Sequence, residues 1–243
     1  MELVHNYVHP ETGELITKER LEIKGLGKAK YILKPGGTLG DLYTNSDLVY
    51  NDDGYIEVDK NGNVAVKDDY MDDIYLGSVF PKYNLAWRND FNYKGINLGV
   101  LFTARIGGIC YSATQANMDL YGVSEASAAA RDAGGVMING RDMIDAQKWY
   151  QVIGSQSGLP QYYTYSATNV RLQELSLGYT LPSKWFRDKM RMTVSFVGRN
   201  LWMIYCKAPF DPEAVASTGL NYQGIDYFMM PSLRSIGLSL IHI

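Results

Sequence analysis

Apolar and polar residues alternate with a period of two in two pairs of neighbouring stretches. The first pair spans residues 82–106, with arms from Tyr83 to Tyr93 and from Ile96 to Ile106 joined at Lys94-Gly95. The second spans residues 169–205, where VRLQELSLGYTLP and RMTVSFVGRNLWMIY flank the connection SKWFRDK. Alternation at period two predicts β-strands with one apolar and one polar face. Residues 232–243 alternate in the same way and predict a last strand.

Long segments without sustained alternation separate these strands: residues 40–81, 107–168 and 206–230. In the first, YIEVDKNGNVAV predicts a hairpin that turns at Asn61-Gly62. In the second, SEASAAARDAG predicts a short helix that begins at Ser124. Residues 1–30 carry only weak strand signals. Short and long connections thus alternate, as in bacterial outer-membrane barrels, which have short periplasmic turns and long extracellular loops.

Charge and composition remove several classes of protein. The chain has 23 Lys plus Arg against 26 Asp plus Glu, and this balance argues against a nucleic-acid partner. No apolar run reaches the about 18 to 20 residues that a transmembrane helix needs. The 19 tyrosines against 7 phenylalanines suit membrane-interface girdles and polar binding loops. We therefore expect an all-β protein of antiparallel strands.

The two cysteines predict neither a disulfide framework nor a multi-cysteine zinc site. Cys110 and Cys206 are placed at the outer ends of strands that have a third strand between them. Two strand spacings are about 9 to 10 Å, beyond the roughly 7 Å Cα separation that a disulfide tolerates. Both are therefore predicted to be thiols.

Motifs for catalysis, cofactors and metals are incomplete, so we expect no catalytic, cofactor-binding or metal-binding residues. His5, His9 and His242 do not form an HExxH motif, and GSQSG at 154–158 lacks the nucleophilic serine. The glycines at 25 and 27 fail the phosphate-binding patterns. One acidic segment has residues that could be calcium ligands: Asp52, Asp53, Asp59, Asn61, Asp68 and Asp69. Their spacing does not fit the EF-hand pattern, so a solvated loop is favoured.

Several long blocks resemble one family in order and spacing. They are DDIYLGSVFPKYNLAWRNDFNYKGINLGVLFTARIGG, YYTYSATNVRLQELSLGYTLP, SFVGRNLWMIYCKAPFDPE and GIDYFMMPSLRSIGLSL. Together they resemble the C-terminal barrel of the SusC/RagA-family TonB-dependent transporters of Bacteroidetes. The resemblance extends over residues 1–243 and implies the C-terminal segment of a plugged transmembrane β-barrel of the 22-stranded class, with about six of its strands present.

The resemblance also implies a location and partners. The family imports oligosaccharides or peptides across the Gram-negative outer membrane, with a SusD-like surface lipoprotein as its lid and energy from the TonB complex. In the family, the plug domain, the TonB-contacting segment and the signal sequence precede this region, so we expect them to be absent from residues 1–243. The lipid of the outer membrane is then the environment of the apolar strand faces.

Two sets of residues are candidates for contact with a substrate. Aromatic rings in the long segments could stack on sugars or could pack the loops on themselves: Trp149, Tyr150, Tyr162, Tyr163, Tyr165, Tyr222 and Tyr227. Arg171, Glu174 and Arg199 could line a polar lumen or form a charge ladder that holds strands in register, and the ladder is favoured. Two other functions stay open, a soluble β-rich glycan-binding module and a β-fold hydrolase with an unrecognised site.

Overall fold

The structure is a computed structural model that describes residues 5–8, 12–68, 73–217, 219 and 222–242. The chain forms two compact units. The first, here called the loop unit, comprises the described residues of Met1–Phe80, Ile109–Tyr165 and Val215–Met229. The second, here called the sheet unit, comprises Pro81–Gly108, Ser166–Ala214 and the described residues of Met230–Ile243.

The strands are, in chain order, β1 His5–Val8, β2 Leu15–Lys18, β3 Leu21–Lys24, β4 Lys30–Leu33, β5 Asp41–Thr44, β6 Ser46–Leu48, β7 Val66–Asp68, β8 Ile74–Ser78, β9 Tyr83–Tyr93, β10 Ile96–Ile106, β11 Ile109–Ser112, β12 Val136–Ile138, β13 Asp142–Ile144, β14 Thr164–Ser166, β15 Asn169–Thr180, β16 Met192–Cys206, β17 Ile225–Asp226 and β18 Ser235–His242. The helices are α1 Ala113–Leu120, α2 Glu125–Asp132 and α3 Ala146–Ile153, with 3-10 turns at Pro160–Tyr163 and Ser183–Phe186.

The sheet unit is one five-stranded antiparallel sheet in the order β18-β16-β15-β10-β9. The antiparallel β fold predicted from alternation is confirmed, and the bounds of β9 and β10 match their predicted arms. Lys94 and Gly95 both have positive φ, 47° and 86°, as a two-residue hairpin turn requires. The described residues supply five such strands, where about six were expected.

The loop unit has a hydrophobic core of its own, although its sequence shows no sustained alternation. Tyr31, Leu42, Tyr111, Leu159 and Ile225 are among its most deeply buried residues. The core lies among a four-stranded sheet, β3-β4-β5-β8, a three-stranded sheet, β14-β11-β17, and the helices α1 and α3. The pairing of β11 with β17 is parallel, which the purely antiparallel expectation missed.

Each helix of the loop unit begins at a side chain that caps its first turn. The predicted helix α2 is confirmed, because Ser124 accepts a hydrogen bond from the Ser127 N–H. Ser112 and Asp145 cap α1 and α3 in the same way, yet neither helix was predicted. All three helices have eight residues, too few for apolar spacing to be recognised, and α2 was predicted because its sequence, EASAAARD, is rich in alanine.

The predicted hairpin in the acidic segment is present. Val58 pairs with Val64, and Gly62, at φ 75°, supplies the positive φ of the turn. The Gly62 N–H donates to the Asp59 carbonyl, which closes a three-residue loop around Asn61. None of the helices in the described ranges is long and apolar enough to cross a membrane.

Candidate functional site

One face of the sheet unit is apolar and exposed across all five strands. Directly paired residues lie on the same face of a sheet. One such row runs through Phe91, Leu98, Leu177, Phe196 and Leu238. Exposed apolar members of this face include Tyr83, Leu85, Trp87, Phe91, Tyr93, Ile96, Ile106, Leu177, Tyr179, Val194, Phe196, Trp202, Tyr205, Ile236, Leu238 and Leu240. Contiguous apolar patches of this breadth mark contact with lipid or with another macromolecule.

The opposite face carries a charge ladder, as the favoured interpretation of Glu174 and Arg199 predicted. Arg199 Nε lies 3.1 Å from one carboxylate oxygen of Glu174, and Arg88 lies 3.6 Å from the other. Arg88 also donates to Asp90 at 2.8 Å. The ladder therefore links β9, β15 and β16. Arg88 and Asp90 were not predicted, although opposite charges two positions apart on one strand were a signal for them.

A second, uncharged ladder lies on the same face. Asn92 donates to Asn97 at 2.5 Å, and Asn97 donates to the Thr180 hydroxyl at 2.9 Å. The Thr180 and Thr193 hydroxyls are 3.0 Å apart. These bonds connect four neighbouring strands through side chains alone. The face opposite the apolar patch is thus polar over several rows.

A β-bulge places Arg171 on the polar face together with Glu174, although three positions separate them. Leu101 and Phe102 are consecutive on β10, but they pair with Glu174 and Leu172, so Gln173 is the extra residue. An odd separation would otherwise direct the two charged side chains to opposite faces. The bulge therefore joins the predicted charged residues on one surface.

Arg171 is the centre of a buried ion-pair cluster. Its guanidinium lies 3.0 Å from Asp211 and 3.4 Å from Glu213, and its Nε donates to Asn169 at 3.2 Å. Only 2% of the Arg171 side chain is exposed. Asp211 also accepts a hydrogen bond from the Ser232 N–H. Arg171 therefore fastens the segment after β16 to β15, and it is not an open charge for a substrate.

The protonation state of Asp211 follows from this environment. Burial raises its pKa, but the hydrogen bonds from Arg171 and from the N–H groups of Ser232 and Glu213 outweigh burial, so the pKa lies below its usual value. Asp211 is consequently charged at neutral pH. Asp211 and Glu213 were not predicted. Asp211 follows shortly after a predicted strand, and nothing in the local sequence indicated a partner 40 residues earlier.

The seven aromatic candidates separate into buried and exposed groups. Trp149 and Tyr163 are buried in the core of the loop unit, and Tyr150 and Tyr165 pack against it. Burial also raises the pKa of Tyr163 well above its ordinary value. Of the two predicted roles, stacking on a sugar and packing within the loops, these four aromatic residues have the second.

The other three aromatic candidates, Tyr162, Tyr222 and Tyr227, are exposed. Tyr162 contacts Trp149 edge-on, with 6.0 Å between ring centroids. Tyr227 makes an edge contact of 5.2 Å with Phe228, which is itself exposed and was not predicted. The sequence signal for Phe228 was the run YFMM at 227–230, four large apolar side chains in a connecting segment. The structure shows that all four are exposed.

Two of the residues considered for metal chemistry, Asp59 and Asp68, have other partners. Among the described residues, no group of three His, Cys, Asp or Glu side chains is placed to hold a metal ion. The Asp59 carboxylate accepts hydrogen bonds from Asn63 and from the Asn61 N–H, and Asp68 pairs with Lys28 at 2.8 Å. His9 and Asp69 lie outside the described residues. Cys110 and Cys206 are both thiols, as predicted, and neither is half of a disulfide.

Similarity to known proteins supports one class of receptor. No protein-family model matches the chain. Its sequence is 24% identical over 194 residues to TonB-dependent receptor P3 of Formosa agariphila, and the match covers 76% of this chain and 18% of that protein. The chain therefore spans less than a fifth of that receptor's length.

Solved structures of a peptide importer have a similar fold. The RagAB peptide importer in its open-open state matches with 15% identity and a TM-score of 0.50, over 98% of this chain and 24% of that one. Its closed-closed state matches with 16% identity and a TM-score of 0.48, over 94% and 28%. The sequence of this chain is thus similar to part of a TonB-dependent receptor, and its fold is similar to part of the RagAB peptide importer.

Proposed function

We propose that the sheet unit forms part of the wall of an outer-membrane TonB-dependent importer. Its apolar face contacts lipid, and its two side-chain ladders face the lumen of a barrel of the 22-stranded class. The observation that carries this proposal is the exposed apolar row from Phe91 to Leu238, which crosses all five strands opposite the Arg88–Glu174–Arg199 ladder. In a barrel wall, lipid-facing and lumen-facing residues alternate in this way.

The edges of the sheet support a larger ring. Within the described residues, β9 pairs only with β10 and β18 only with β16. Backbone groups in hydrocarbon must be hydrogen-bonded, so the two edges require further strands from the rest of the receptor. The wall formed by this chain is therefore one segment of a closed barrel.

The imported class of molecule and the partners follow from the resemblance. The receptor takes up oligosaccharides or peptides with a SusD-like surface lipoprotein and is energised by the TonB complex through parts outside this chain. Tyr162, Tyr222 and Tyr227 are the candidate substrate contacts that are exposed. Glu174 and Arg199 form an ion pair on the lumen-facing side of the barrel wall. The role is transport in the outer membrane of a Gram-negative cell, not catalysis.

Two arginine substitutions on neighbouring positions of β18 test this proposal in the complete receptor. Leu238 lies on the apolar face with 81% of its side chain exposed, and Ser239 lies on the polar face. Arginine on the lipid face costs about 2 to 4 kcal/mol near the bilayer midplane. We expect Leu238→Arg to lower the amount of receptor in the outer membrane and the uptake of fluorescent peptides or oligosaccharides, whereas Ser239→Arg leaves both nearly unchanged.

The two substitutions also discriminate between the open alternatives. In a soluble glycan-binding module or hydrolase, an 81% exposed leucine is in water, and arginine there is tolerated. Equal outer-membrane levels and equal uptake for Leu238→Arg and Ser239→Arg would therefore contradict a lipid-facing sheet. A receptor that stays monodisperse in buffer without detergent would contradict it as well.

A further inference from the structure

An open groove of about 990 Å³ crosses the loop unit. One wall is the hairpin of residues 56–65, and the other is Arg141, Asp142, Met143 and Ile144. Both walls carry charged side chains: Glu57, Asp59 and Asp142 are acidic, and Lys60 and Arg141 are basic. The groove is therefore polar, and the backbone of the hairpin forms part of its lining.

The outer edge of this hairpin presents backbone groups toward the side away from its partners. Glu57 and Asp59 direct their backbone groups to the inner side of the hairpin. The Glu57 carbonyl accepts from the Ala65 N–H, the Glu57 N–H donates to the Val49 carbonyl, and the Asp59 N–H donates to the Asn63 carbonyl. Successive residues of a strand direct these groups to opposite sides, so Ile56 and Val58 both direct theirs outward. In the described part of the chain, the N–H and C=O of Val58 form no hydrogen bond.

Ile56, the neighbouring residue that directs its backbone groups outward, shows that this edge binds a group that both accepts and donates hydrogen bonds. The Asn139 side-chain amide accepts a hydrogen bond from the Ile56 N–H and donates one to the Ile56 carbonyl, each at 2.9 Å. An amide that both accepts and donates in this way reproduces the pairing of an antiparallel strand. Asn139 thus occupies one position of a β-edge, and Val58 is the next position along it.

We propose that the Val58 edge binds an extended peptide by β-strand addition. A peptide strand would supply an acceptor to the Val58 N–H and a donor to the Val58 carbonyl, as the Asn139 amide does for Ile56, and its side chains would alternate between the groove and solvent. The Asn139 amide ends the open edge on one side. This inference rests on the proposed importer function and deepens it, because it assigns peptides as an imported class recognised at the loop unit.

The charged side chains of the groove would favour some peptide sequences over others, in addition to the main-chain hydrogen bonds. Asp142 already accepts from the Asn139 amide at 3.1 Å and lies 3.4 Å from Arg141, and Arg141 lies 5.0 Å from the Tyr55 ring. Both signs of charge are therefore available along the groove. A peptide of mixed charge would meet complementary groups, while affinity comes mainly from the main-chain hydrogen bonds.

The test compares two fluorescein-labelled pentapeptides of alternating valine and threonine, one ordinary and one with alternate backbone nitrogens methylated. Methylation removes N–H donors and leaves the side chains in place. Binding is measured by fluorescence anisotropy with the complete receptor in detergent. We expect the methylated peptide to bind at least about fivefold more weakly, since each main-chain hydrogen bond contributes about that factor.

A matched pair of proline substitutions tests the receptor side. Val58→Pro removes an N–H that has no partner among the described residues, so the hairpin should tolerate it as edge strands do. We expect about fivefold weaker binding of the unmethylated peptide. Lys60→Pro is the control, because proline suits the second position of the turn from Asp59 to Gly62 and leaves the Val58 N–H intact.

Equal affinity for the two peptides, or equal effects of the two prolines, would overturn the inference. Displacement of the peptide by an N-acetylglucosamine trimer with the same sensitivity to Val58→Pro would overturn the peptide assignment in favour of an acetamido sugar. Neither result would affect the contrast between Leu238→Arg and Ser239→Arg. Failure of the groove and failure of the importer function are therefore distinguishable.

Discussion

Arg171 shows how one buried charge can hold a long connection to the sheet. The guanidinium is almost fully buried and is paired with Asp211, Glu213 and Asn169. Such a cluster is stable only while every member keeps its partner, because an uncompensated buried charge is costly. Arg199 differs, since it is largely exposed and its pairing with Glu174 is screened by water.

Substitution of Arg171 by methionine should therefore loosen the segment from Asp211 to Glu213. We expect its local opening free energy to fall by about 3 to 5 kcal/mol, because Asp211 would lose its counter-charge in a buried position. Hydrogen exchange of peptides covering residues 207–214 in the complete receptor measures the change. Arg199→Met is the control and should change exchange by less than about 1 kcal/mol.

The pH dependence of the same exchange has a defined sign. The pKa of Asp211 is lower in the folded state than in the unfolded state, so its contribution is present at neutral pH and is lost as the pH falls through the folded-state pKa. The difference between wild type and Arg171→Met should disappear at such acidic pH. A difference that persists there, or an Arg171→Met variant with unchanged exchange at neutral pH, would contradict the ion-pair explanation.

At the scale of elements, the hairpin of β9 and β10 depends on a two-residue turn. Gly95 has φ 86°, and a Cβ there would lie 2.9 Å from the Thr180 carbonyl oxygen. Lys94 has φ 47°, which asparagine adopts more readily than lysine. Position 95 therefore requires glycine, because of both its positive φ and the nearby carbonyl oxygen. Position 94 does not require lysine, and asparagine there should stabilise the turn.

Gly95→Val should destabilise the complete receptor by about 1 to 3 kcal/mol, and Lys94→Asn should stabilise it by a few tenths of a kcal/mol. The urea midpoint of unfolding in detergent measures both changes. Gly237→Val is the matched control, because Gly237 lies on β18 without a positive φ, and a Cβ there would meet no described atom within 4 Å. Equal destabilisation by Gly95→Val and Gly237→Val would refute the turn argument.

At the scale of the whole molecule, the loop unit and the sheet unit are stabilised differently. The sheet unit exposes its large apolar side chains, whereas the loop unit encloses its own core. Burial raises the pKa of Tyr111 to about 12 and also raises the pKa of Tyr31 and Tyr163. Since the phenolate is disfavoured only in the folded state, stability falls once the pH exceeds about 10, the pKa of an unfolded tyrosine.

Spectrophotometric titration of the phenolate tests this enclosed core. At about pH 11, between the unfolded and the folded pKa, the Tyr111→Phe variant should give the same phenolate absorbance as wild type, because Tyr111 is still neutral in the folded protein. In guanidinium the unfolded wild type should exceed the unfolded variant by one tyrosine at the same pH. A difference between the folded proteins there would show that Tyr111 is accessible to water.

The sequence alone determined the strands of the sheet unit and their turn. Alternation is a local property, so β9 and β10 could be bounded from their own residues, and Lys94-Gly95 fixed their register. The resemblance to one receptor family was carried by the same blocks. The helix at Ser124 was also predictable, because a cap acts within three residues.

Only the tertiary structure decided which polar and aromatic residues are available. Trp149 and Tyr163 are buried by a core that includes Tyr31 and Ile225, far away in the sequence. Arg171 meets Asp211 across 40 residues, and Asn139 meets Ile56 across 83. No local pattern encodes such pairings, because they depend on how distant segments pack. Local alternation fixed the strands, and packing between distant segments decided which side chains can act.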